Sequence, residues 1–271
     1  MPELPEVEVT RRGLKDVVGR GIRGIDVTDE MLLGEGFDDP TSVEFLTGNR
    51  VESVQRRGKY CLLVFEDSLL LFSLRMTGNL TVQSDGEIGR ENYVSLDLDD
   101  GTLIFSSIRR FSKVHRYETP DPEAVPKVQK LGVDPVHDEL TPETVRPLLE
   151  KRTAPVKTLL MNQEIIAGLG NIYANEACYA ARIDPTRSVR TLDDDELSRL
   201  LSKIENLLER AVTRGGSSIN DFQGPDGNDG SFQENFFVYG RDGEECEWCG
   251  SSLRKTELAG RSTFFCPECQ Q

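Results

Sequence analysis

Residues 60–74 read YCLLVFEDSLLLFSL, which is two apolar runs on either side of the polar triplet Glu66-Asp67-Ser68. Short runs of leucine, valine and aromatic residues with a polar break between them are typical of paired β-strands. Further runs with strand-like composition lie at residues 22–27, 50–55, 93–98 and 102–107. Many short strands separated by turns indicate a β-sandwich or a barrel in the N-terminal half.

Helical patterns lie on both sides of these strands. The clearest is at residues 191–214, where leucine and isoleucine recur with the 3.6-residue period of a helix until Gly215-Gly216 ends it. Shorter helices are predicted at residues 5–18, 142–150, 157–161 and 172–181. The Pro-rich, charged stretch 119–126 is predicted to be a linker. The sequence therefore predicts a multidomain α+β protein.

Two Cys-x-x-Cys pairs near the end of the sequence predict a metal site. They are Cys246 with Cys249 and Cys266 with Cys269. Each pair can present two thiolates to one tetrahedral ion, and the segment between the pairs is long enough for a hairpin. Zinc is the expected metal, in a structural role, because four thiolates leave no open coordination position. Disulfides are the alternative, which a cytoplasmic location disfavours.

Composition and charge limit the class of protein. The chain has 271 residues and a formal net charge of −15 at pH 7. It has no apolar run of about 18 residues and no basic-then-apolar signal pattern, which predicts a cytoplasmic protein without a membrane span. Taken alone, the acidic charge argues against a polyanionic partner, since phosphate binding depends on lysine and arginine. Basic residues nevertheless gather in two clusters, at residues 56–59 and 109–116.

The sequence opens with MPELPE, which can place the amine of Pro2 beside the carboxylates of Glu3 and Glu6. A small second residue normally allows removal of the initiator methionine, which leaves Pro2 with a free secondary amine. An α-amino group titrates near pH ~8, so a substantial fraction is neutral and nucleophilic at neutral pH. The alternative is that Pro2 and Pro5 only begin a helix, since proline suits a first helical turn.

The run GLGN at residues 168–171, just before a predicted helix, is a weaker signal. Glycines let the backbone approach a ligand, and a helix N-terminus offers free N–H groups to a phosphate. The alternative is a tight turn between two helices. No strand precedes the run, which argues against a dinucleotide site.

Met76 and the pair Arg109 and Phe111 complete the set of candidate residues. An apolar side chain and an aromatic ring flanked by arginine can fill the gap that is left when a base leaves a duplex. Taken singly, Met76 is more often a side chain that fills a gap in the core, and Phe111 a buried aromatic residue.

Taken together and in order, these features resemble the formamidopyrimidine-DNA glycosylases, also called 8-oxoguanine-DNA glycosylases. The matching motifs are PELPEV at residues 2–7, RGKY at 57–60, LRMTG at 74–78, RRF at 109–111, LG at 131–132 with DP at 134–135, GNIYA at 170–174, YGR at 239–241 and the four cysteines with Arg261. They span the whole length, which makes the resemblance specific.

The resemblance implies a catalytic β-sandwich with an N-terminal helix, a helix–two-turn–helix module and a C-terminal zinc finger, with DNA held in the cleft between them. The domains are predicted at residues 1–119, 120–134 (linker), 135–223, 224–236 (flexible lesion loop) and 237–271. The expected partner is double-stranded DNA that contains oxidised bases or abasic sites. Nothing in the sequence suggests an oligomer, so a monomer is expected, associated with the nucleoid through DNA.

The resemblance also implies a bifunctional glycosylase and AP lyase of base-excision repair. Pro2 would attack C1′ of a flipped nucleotide, expel an oxidised purine and form an iminium ion, which permits β- and then δ-elimination. Glu3 matches the family's acid/base residue. Glu6 matches a carboxylate that helps to hold the site near the nucleophile.

Other positions match the DNA contacts of the family. The groups that match its phosphate clamps are Lys59, Asn171 and Arg261. The triad that matches its filler of the vacated base stack is Met76, Arg109 and Phe111. Lys157 matches, more loosely, a lysine involved in lesion binding, and Tyr239 is assigned to DNA binding with its YGR motif.

Several features depart from the family pattern. Ser73 stands where many members carry a histidine that contacts the DNA backbone, and Ser107 and Ser112 stand where Asp and Gly are common. The acidic charge is also unusual, and one hypothesis is a surface suited to concentrated salt. Lesion-DNA binding that is lost above physiological ionic strength in a salt titration would contradict that hypothesis.

Two other functions stay open. An endonuclease VIII-type enzyme uses the same machinery on oxidised pyrimidines, but PELP rather than PEGP at residues 2–5 favours the purine enzyme, as does the long segment 217–234. A non-catalytic DNA-binding zinc protein would result if Met1 is retained, because the amine is then blocked.

Overall fold

The computed structural model describes residues 2–37, 46–84, 93–218 and 222–271. The chain divides into two units, Met1–Gln129 with Arg214–Gln233, and Lys130–Thr213 with Glu234–Gln271. The five domain segments expected from the sequence stay a prediction.

The first unit is built on two four-stranded antiparallel sheets, with strand orders β1-β6-β7-β5 and β2-β3-β4-β8. The strands are β1 Ile22–Val27, β2 Ser53–Arg57, β3 Tyr60–Val64, β4 Leu69–Ser73, β5 Gly78–Gln83, β6 Tyr93–Leu98, β7 Thr102–Ser107 and β8 Lys113–Tyr117. One apolar core receives side chains from both sheets, for example Phe72 and Phe105, whose ring centroids lie 5.2 Å apart in an edge-to-face contact. The predicted β-sandwich is confirmed.

Two of these strands, β5 and β8, were missed in the sequence. β5 begins with Gly78-Asn79, and β8 reads KVHRY, so neither has the apolar composition that marks a strand. Both are the last strand in the order of their sheet, where polar residues are tolerated, and the outer side of β8 bonds to the short backbone segment 33–35.

Helix α1, Leu4–Gly13, packs its buried face against β2 and β3. It is shorter than the predicted helix, because the chain continues into a separate 3₁₀ turn, Lys15–Val17. Val7, Leu14 and Val17 join the core between the sheets. The predicted linker at residues 119–126 contains a second 3₁₀ turn, Pro122–Ala124, and the fully buried Val125.

The second unit contains four α-helices and one hairpin within its described residues. They are α2 Pro142–Leu149, α3 Val156–Leu160, α4 Asn171–Ala180, α5 Asp194–Thr213, β9 Arg254–Leu258 and β10 Arg261–Phe265. Thr141 caps α2 and shares reciprocal bonds with Thr144, as the Thr-Pro pair predicts. Helix α5 buries one leucine-rich face, and α4 packs against α5 and β10. Among the described helices, none is long and apolar enough to cross a membrane.

Candidate active site and nucleic-acid interface

The first turn of α1 brings the predicted catalytic residues together. Pro2 and Glu3 are buried, and Glu3 is the N-cap of the helix. The Glu3 N–H donates to Glu6 Oε2 at 2.8 Å, while the Glu3 side chain accepts from the N–H of Glu6. This reciprocal capping box satisfies donors that a helix start leaves free, and it holds both carboxylates in the first turn of α1, which Pro2 precedes in the sequence.

The second oxygen of Glu6 holds a distant segment of the same unit. Glu6 Oε1 accepts from the N–H of Ser217 at 2.8 Å and from its hydroxyl at 3.0 Å. The neighbouring Gly216 has a φ of +76°, and a Cβ at this position would lie 3.0 Å from Glu6 Oε1. In the sequence, Gly215-Gly216 predicts only the end of a helix. The structure shows that the close approach to Glu6 also requires glycine.

Glu8, which carried no signal in the sequence, is a buried carboxylate at the centre of a cluster of three arginines. Its carboxylate accepts from Arg11 at 2.7 Å, from Arg12 at 2.7 Å and from the fully buried Arg56 at 3.1 Å. Burial alone would raise the pKa of Glu8, but the hydrogen bonds from Arg11 and Arg12, with the charge of Arg56, lower it to about 2. Arg56 also donates to the carbonyl of Gly58 at 2.9 Å. The cluster therefore links α1 to the turn between β2 and β3.

Lys59 lies in that turn. Gly58 and Lys59 form the two-residue connection between β2 and β3, and Gly58 has a φ of 55°, which favours glycine. Lys59 is half-buried. Because Arg56 binds the Gly58 carbonyl, the Glu8 cluster sets the position of Lys59 relative to the start of α1.

Met76, Arg109 and Phe111 lie on two turns that hydrogen-bond to each other. The Arg109 N–H donates to Thr77 Oγ1 at 3.0 Å, and the Arg109 guanidinium lies 5.5 Å from the centroid of the Phe111 ring. Met76 is 38% exposed and Phe111 57% exposed, so neither is a core residue. Ile108, which the sequence analysis passed over, is 73% exposed beside them. The structure therefore brings Arg109 and Phe111 together, on a turn bonded to the turn that carries Met76, and leaves both apolar side chains exposed.

In the second unit, Asn171 begins α4 and Gly170 is its N-cap. The Asn171 Oδ1 atom is buried with no hydrogen-bond partner among the described residues. The preceding turn is held by Gln163, whose amide accepts from the N–H of Gly168 at 2.9 Å and donates to the carbonyl of Leu169 at 2.7 Å. Gln163 carried no signal in the sequence.

The four predicted metal ligands lie together. Their Sγ atoms are all within 4.8 Å of one another, with 3.9 Å between Cys246 and Cys269 and 3.6 Å between Cys249 and Cys266. Zn–S bonds of ~2.3 Å in a tetrahedron place sulfur atoms about 3.8 Å apart, so the geometry fits one structural zinc ion. Arg261 is exposed at the start of β10, directly after the hairpin turn.

Polar side chains from α3 and α4 hold the finger segment. The Glu176 carboxylate accepts three backbone N–H bonds of 2.8–3.0 Å, from Phe237, Val238 and Tyr239. Asn175 Oδ1 accepts from the N–H of Phe264 at 2.7 Å. The predicted DNA-binding residue Tyr239 packs edge-to-face against Phe264, with ring centroids 5.3 Å apart.

Lys157 is buried, with 1% of its surface exposed. Its ammonium group donates to the carbonyl of Ser262 and to the hydroxyl of Thr263, each at 2.8 Å. These bonds reach β10 one residue beyond Arg261. A direct contact of Lys157 with DNA stays a prediction, and the observed contacts place it in support of the finger.

Three comparisons with known proteins agree with this geometry. Family models match at residues 1–114 (Formamidopyrimidine-DNA glycosylase N-terminal domain), 131–223 (Formamidopyrimidine-DNA glycosylase H2TH domain) and 243–271 (Zinc finger found in FPG and IleRS). A formamidopyrimidine-DNA glycosylase of an Exiguobacterium strain is 36% identical over 275 residues, with all of both chains covered.

Solved structures of the Lactococcus lactis enzyme also match. A mutant FPG in complex with Fapy-dG containing DNA has a TM-score of 0.91 at 33% identity, with both chains covered completely. The L. lactis Fpg with abasic-site DNA has a TM-score of 0.90 at 33% identity over 99% of both chains. The chain thus belongs to the formamidopyrimidine-DNA glycosylase family.

Proposed function

We propose that this protein is a bifunctional DNA glycosylase and AP lyase of base-excision repair that removes oxidised purines. One observation carries the proposal: Pro2 is buried and directly precedes α1, and reciprocal hydrogen bonds hold Glu3 and Glu6 in the first turn of that helix. Relatives with this name match the chain over its full length.

The chemistry begins at the Pro2 nitrogen, in protein from which Met1 has been removed. The amine donates its lone pair to C1′ of the flipped nucleotide, and the bond from C1′ to the base breaks. The base leaves with that electron pair and a proton, for which the buried Glu3 is the acid. Opening of the sugar ring then gives an iminium ion, which acidifies the C2′ protons. Loss of a C2′ proton expels the 3′ phosphate, and a second elimination expels the 5′ phosphate.

In this scheme Glu6 holds neighbouring residues in place and does not transfer a proton. Its two oxygens bind the Glu3 backbone on one side and Ser217 on the other, so its hydrogen-bonding capacity is used to hold the site. Lys59 is the nearest predicted phosphate clamp along the chain, carried on the turn that the Glu8 cluster fixes. Asn171, Arg261 and Lys157 serve DNA binding from the second unit, the last through its support of β10.

The exposed side chains Met76, Arg109 and Phe111 form the wedge that fills the space of the extruded base. An apolar group and an aromatic ring replace the lost stacking, and the arginine adds donors for the unpaired opposite base. The four-cysteine site holds one zinc ion that stabilises the finger carrying Arg261.

Borohydride trapping tests the enzymatic claim, because borohydride reduces the iminium ion to a stable covalent adduct. Protein with a verified free Pro2 is incubated with a duplex that contains 8-oxoguanine opposite cytosine. We expect a cross-link that peptide mass spectrometry locates on Pro2. Glu3→Gln should reduce base excision at least a hundredfold, whereas Glu66→Gln, a matched change at an exposed carboxylate, should have no effect.

The same assay separates the alternatives. A preparation that retains Met1 should give no adduct. No adduct from the free Pro2 protein on any oxidised-base duplex would identify a non-catalytic DNA-binding protein. An adduct on thymine glycol duplexes, without one on 8-oxoguanine, would identify an enzyme of the endonuclease VIII type.

A further inference from the structure

The two turns that carry the wedge are joined by buried hydroxyl groups. The first turn covers residues 74–78 and contains Met76; the second covers residues 107–112 and contains Arg109 and Phe111. Three hydroxyl side chains lie between the turns, and all are at most 7% exposed. They are Thr77, Ser107 and Ser112.

These hydroxyls form a chain with a single direction. Ser112 Oγ donates to the carbonyl of Leu74 at 2.7 Å, and Ser107 Oγ donates to Ser112 Oγ at 2.9 Å. Thr77 Oγ1 lies 3.3 Å from Ser107 Oγ. Because the Ser107 hydroxyl already donates its only proton to Ser112 Oγ, Thr77 is the donor in the bond between Thr77 and Ser107. We call this series the hydroxyl relay; each member polarises the next.

Backbone groups at both ends tie the relay to the wedge. Thr77 Oγ1, which donates into the relay, also accepts from the N–H of Arg109 at 3.0 Å. The Leu74 carbonyl accepts the last hydrogen bond of the relay, from Ser112. It also accepts from the N–H of Gly78 at 2.8 Å, and this second bond closes the turn around Met76. The space is fully used, because a Cβ on Gly78 would lie 2.6 Å from Ser112 Oγ.

Both turns contain a non-glycine residue in the left-handed region, which needs support from its surroundings. Arg75, next to Met76, has a φ of 51°, and Arg110, between Arg109 and Phe111, has a φ of 58°. Such conformations persist only where neighbouring contacts determine them. Arg110 is held by an ion pair of 2.6 Å with Asp29, and the relay links the flanking backbone of both turns.

We propose that Thr77, Ser107 and Ser112 are positioning residues that fix Met76 relative to Arg109 and Phe111, a role that rests on the proposed wedge function. Ser107 and Ser112 are two of the positions where this chain departs from its family's usual residues, and they bond directly to each other. The two departures therefore form one unit. The relay sets the separation of the wedge side chains before DNA is bound, so the entropy of ordering the two turns is not lost at base extrusion.

Loss of the relay should impair base extrusion and leave the chemistry of the sugar unchanged. An abasic site in single-stranded DNA has no base to extrude and no opposite base to contact. Its cleavage therefore reports Pro2 and Glu3 without the wedge. Excision of 8-oxoguanine opposite cytosine reports both steps.

The test uses two variants of Thr77, one without the side-chain hydroxyl group and one that retains it. Thr77→Val keeps the shape and removes the bonds of Thr77 Oγ1 to Ser107 Oγ and to the N–H of Arg109, whereas Thr77→Ser keeps the hydroxyl. We expect Thr77→Val and Ser112→Ala, each of which removes two buried hydrogen bonds, to slow single-turnover excision from the duplex at least about tenfold. Thr77→Ser should restore most of the rate. Cleavage of the single-stranded abasic site should stay within about twofold in all three.

Two further variants complete the design. Ser95→Ala removes a buried serine hydroxyl from β6, in the same unit and outside the relay, and should leave both rates unchanged. Phe111→Ala removes part of the wedge itself and should reduce duplex excision more than Thr77→Val does.

The outcomes separate the relay from the wedge. Duplex excision that survives in Thr77→Val while Phe111→Ala loses it would overturn the relay alone. Unchanged excision in Phe111→Ala would overturn the wedge and the relay together. Equal losses in Thr77→Val at the duplex and at the abasic site would show a general folding defect and also overturn the proposal.

Discussion

Two buried carboxylates, Glu8 in α1 and Glu176 in α4, hold remote segments by different means. Glu8 is bound by the guanidinium groups of Arg11, Arg12 and Arg56. Glu176 is bound by three backbone N–H groups, at Phe237, Val238 and Tyr239. Each helix carries predicted site residues at its N-terminus, so each carboxylate connects a candidate site to a second segment.

The difference lies in the charge that surrounds each carboxylate. Cationic partners stabilise ionised Glu8 and lower its pKa to about 2 in spite of burial. Around Glu176, burial dominates and raises the pKa, although the three peptide N–H bonds and Arg241 act in the opposite direction. A carboxylate held by arginines stays charged in the folded protein, whereas one held by peptide groups in a buried position loses part of its preference for the ionised form.

Breaking the charged cluster should have the largest effect. Arg56→Met removes a fully buried guanidinium group and leaves Glu8 with fewer partners, which should destabilise the first unit by about 3 kcal/mol or more. Arg57→Met is the control, since the Arg57–Glu123 ion pair is largely exposed on the Glu123 side and should contribute about 0–1 kcal/mol. Urea unfolding with amide exchange in α1 and β3 measures both. Equal losses in the two variants would show that the cluster has no special role.

Weakening the hydrogen bonds between Glu176 and the backbone of residues 237–239 should reduce stability less than Arg56→Met does. Glu176→Gln keeps one carbonyl acceptor and replaces the other oxygen by a donor, which faces N–H groups. We expect a loss of about 1–3 kcal/mol and faster amide exchange at residues 237–239.

The zinc finger provides a second measurement for this variant. Glu176→Gln should also release zinc to a chelator faster than the wild type, because residues 237–239, which Glu176 binds, are then less firmly held. Glu205→Gln, at an exposed position on α5, is the matched control. Unchanged exchange at residues 237–239 would contradict the assigned role of Glu176.

The sequence predicted the parts of this molecule that depend on local pattern. The zinc ligands follow from spacing, α5 from its period, and the β-sandwich from short apolar runs with polar breaks. The reciprocal bonds of Glu3 and Glu6 are also local, since the two residues lie three positions apart.

Long-range polar contacts could not be predicted in this way. Glu8 meets Arg56 across 48 positions, and Glu6 meets Ser217 across 211. Neither pair has a spacing signal, because the contact depends on the packing of complete elements. The hydroxyl relay shows the same limit: the sequence marked Ser107 and Ser112 only as departures, and the folded turns make them partners.

Acidification should change the contributions of Glu8 and Glu176 to the free energy of unfolding in opposite directions. The lowered pKa of Glu8 means that its contribution to stability is fully present above its ordinary pKa of 4.5 and is lost as the pH falls toward about 2. The raised pKa of Glu176 means that, as the pH falls, this carboxylate is protonated in the folded protein before it is protonated in the unfolded chain. Acidification therefore increases the stability of the wild type relative to Glu176→Gln.

Urea unfolding of the wild type, Glu8→Gln and Glu176→Gln between pH 6 and pH 3 measures both differences. We expect the advantage of the wild type over Glu8→Gln to shrink toward pH 3, and its advantage over Glu176→Gln to grow. Parallel changes in the two differences would mean that arginines and peptide groups hold a buried carboxylate in the same ionisation state, and the contrast between the two sites would then rest on geometry alone.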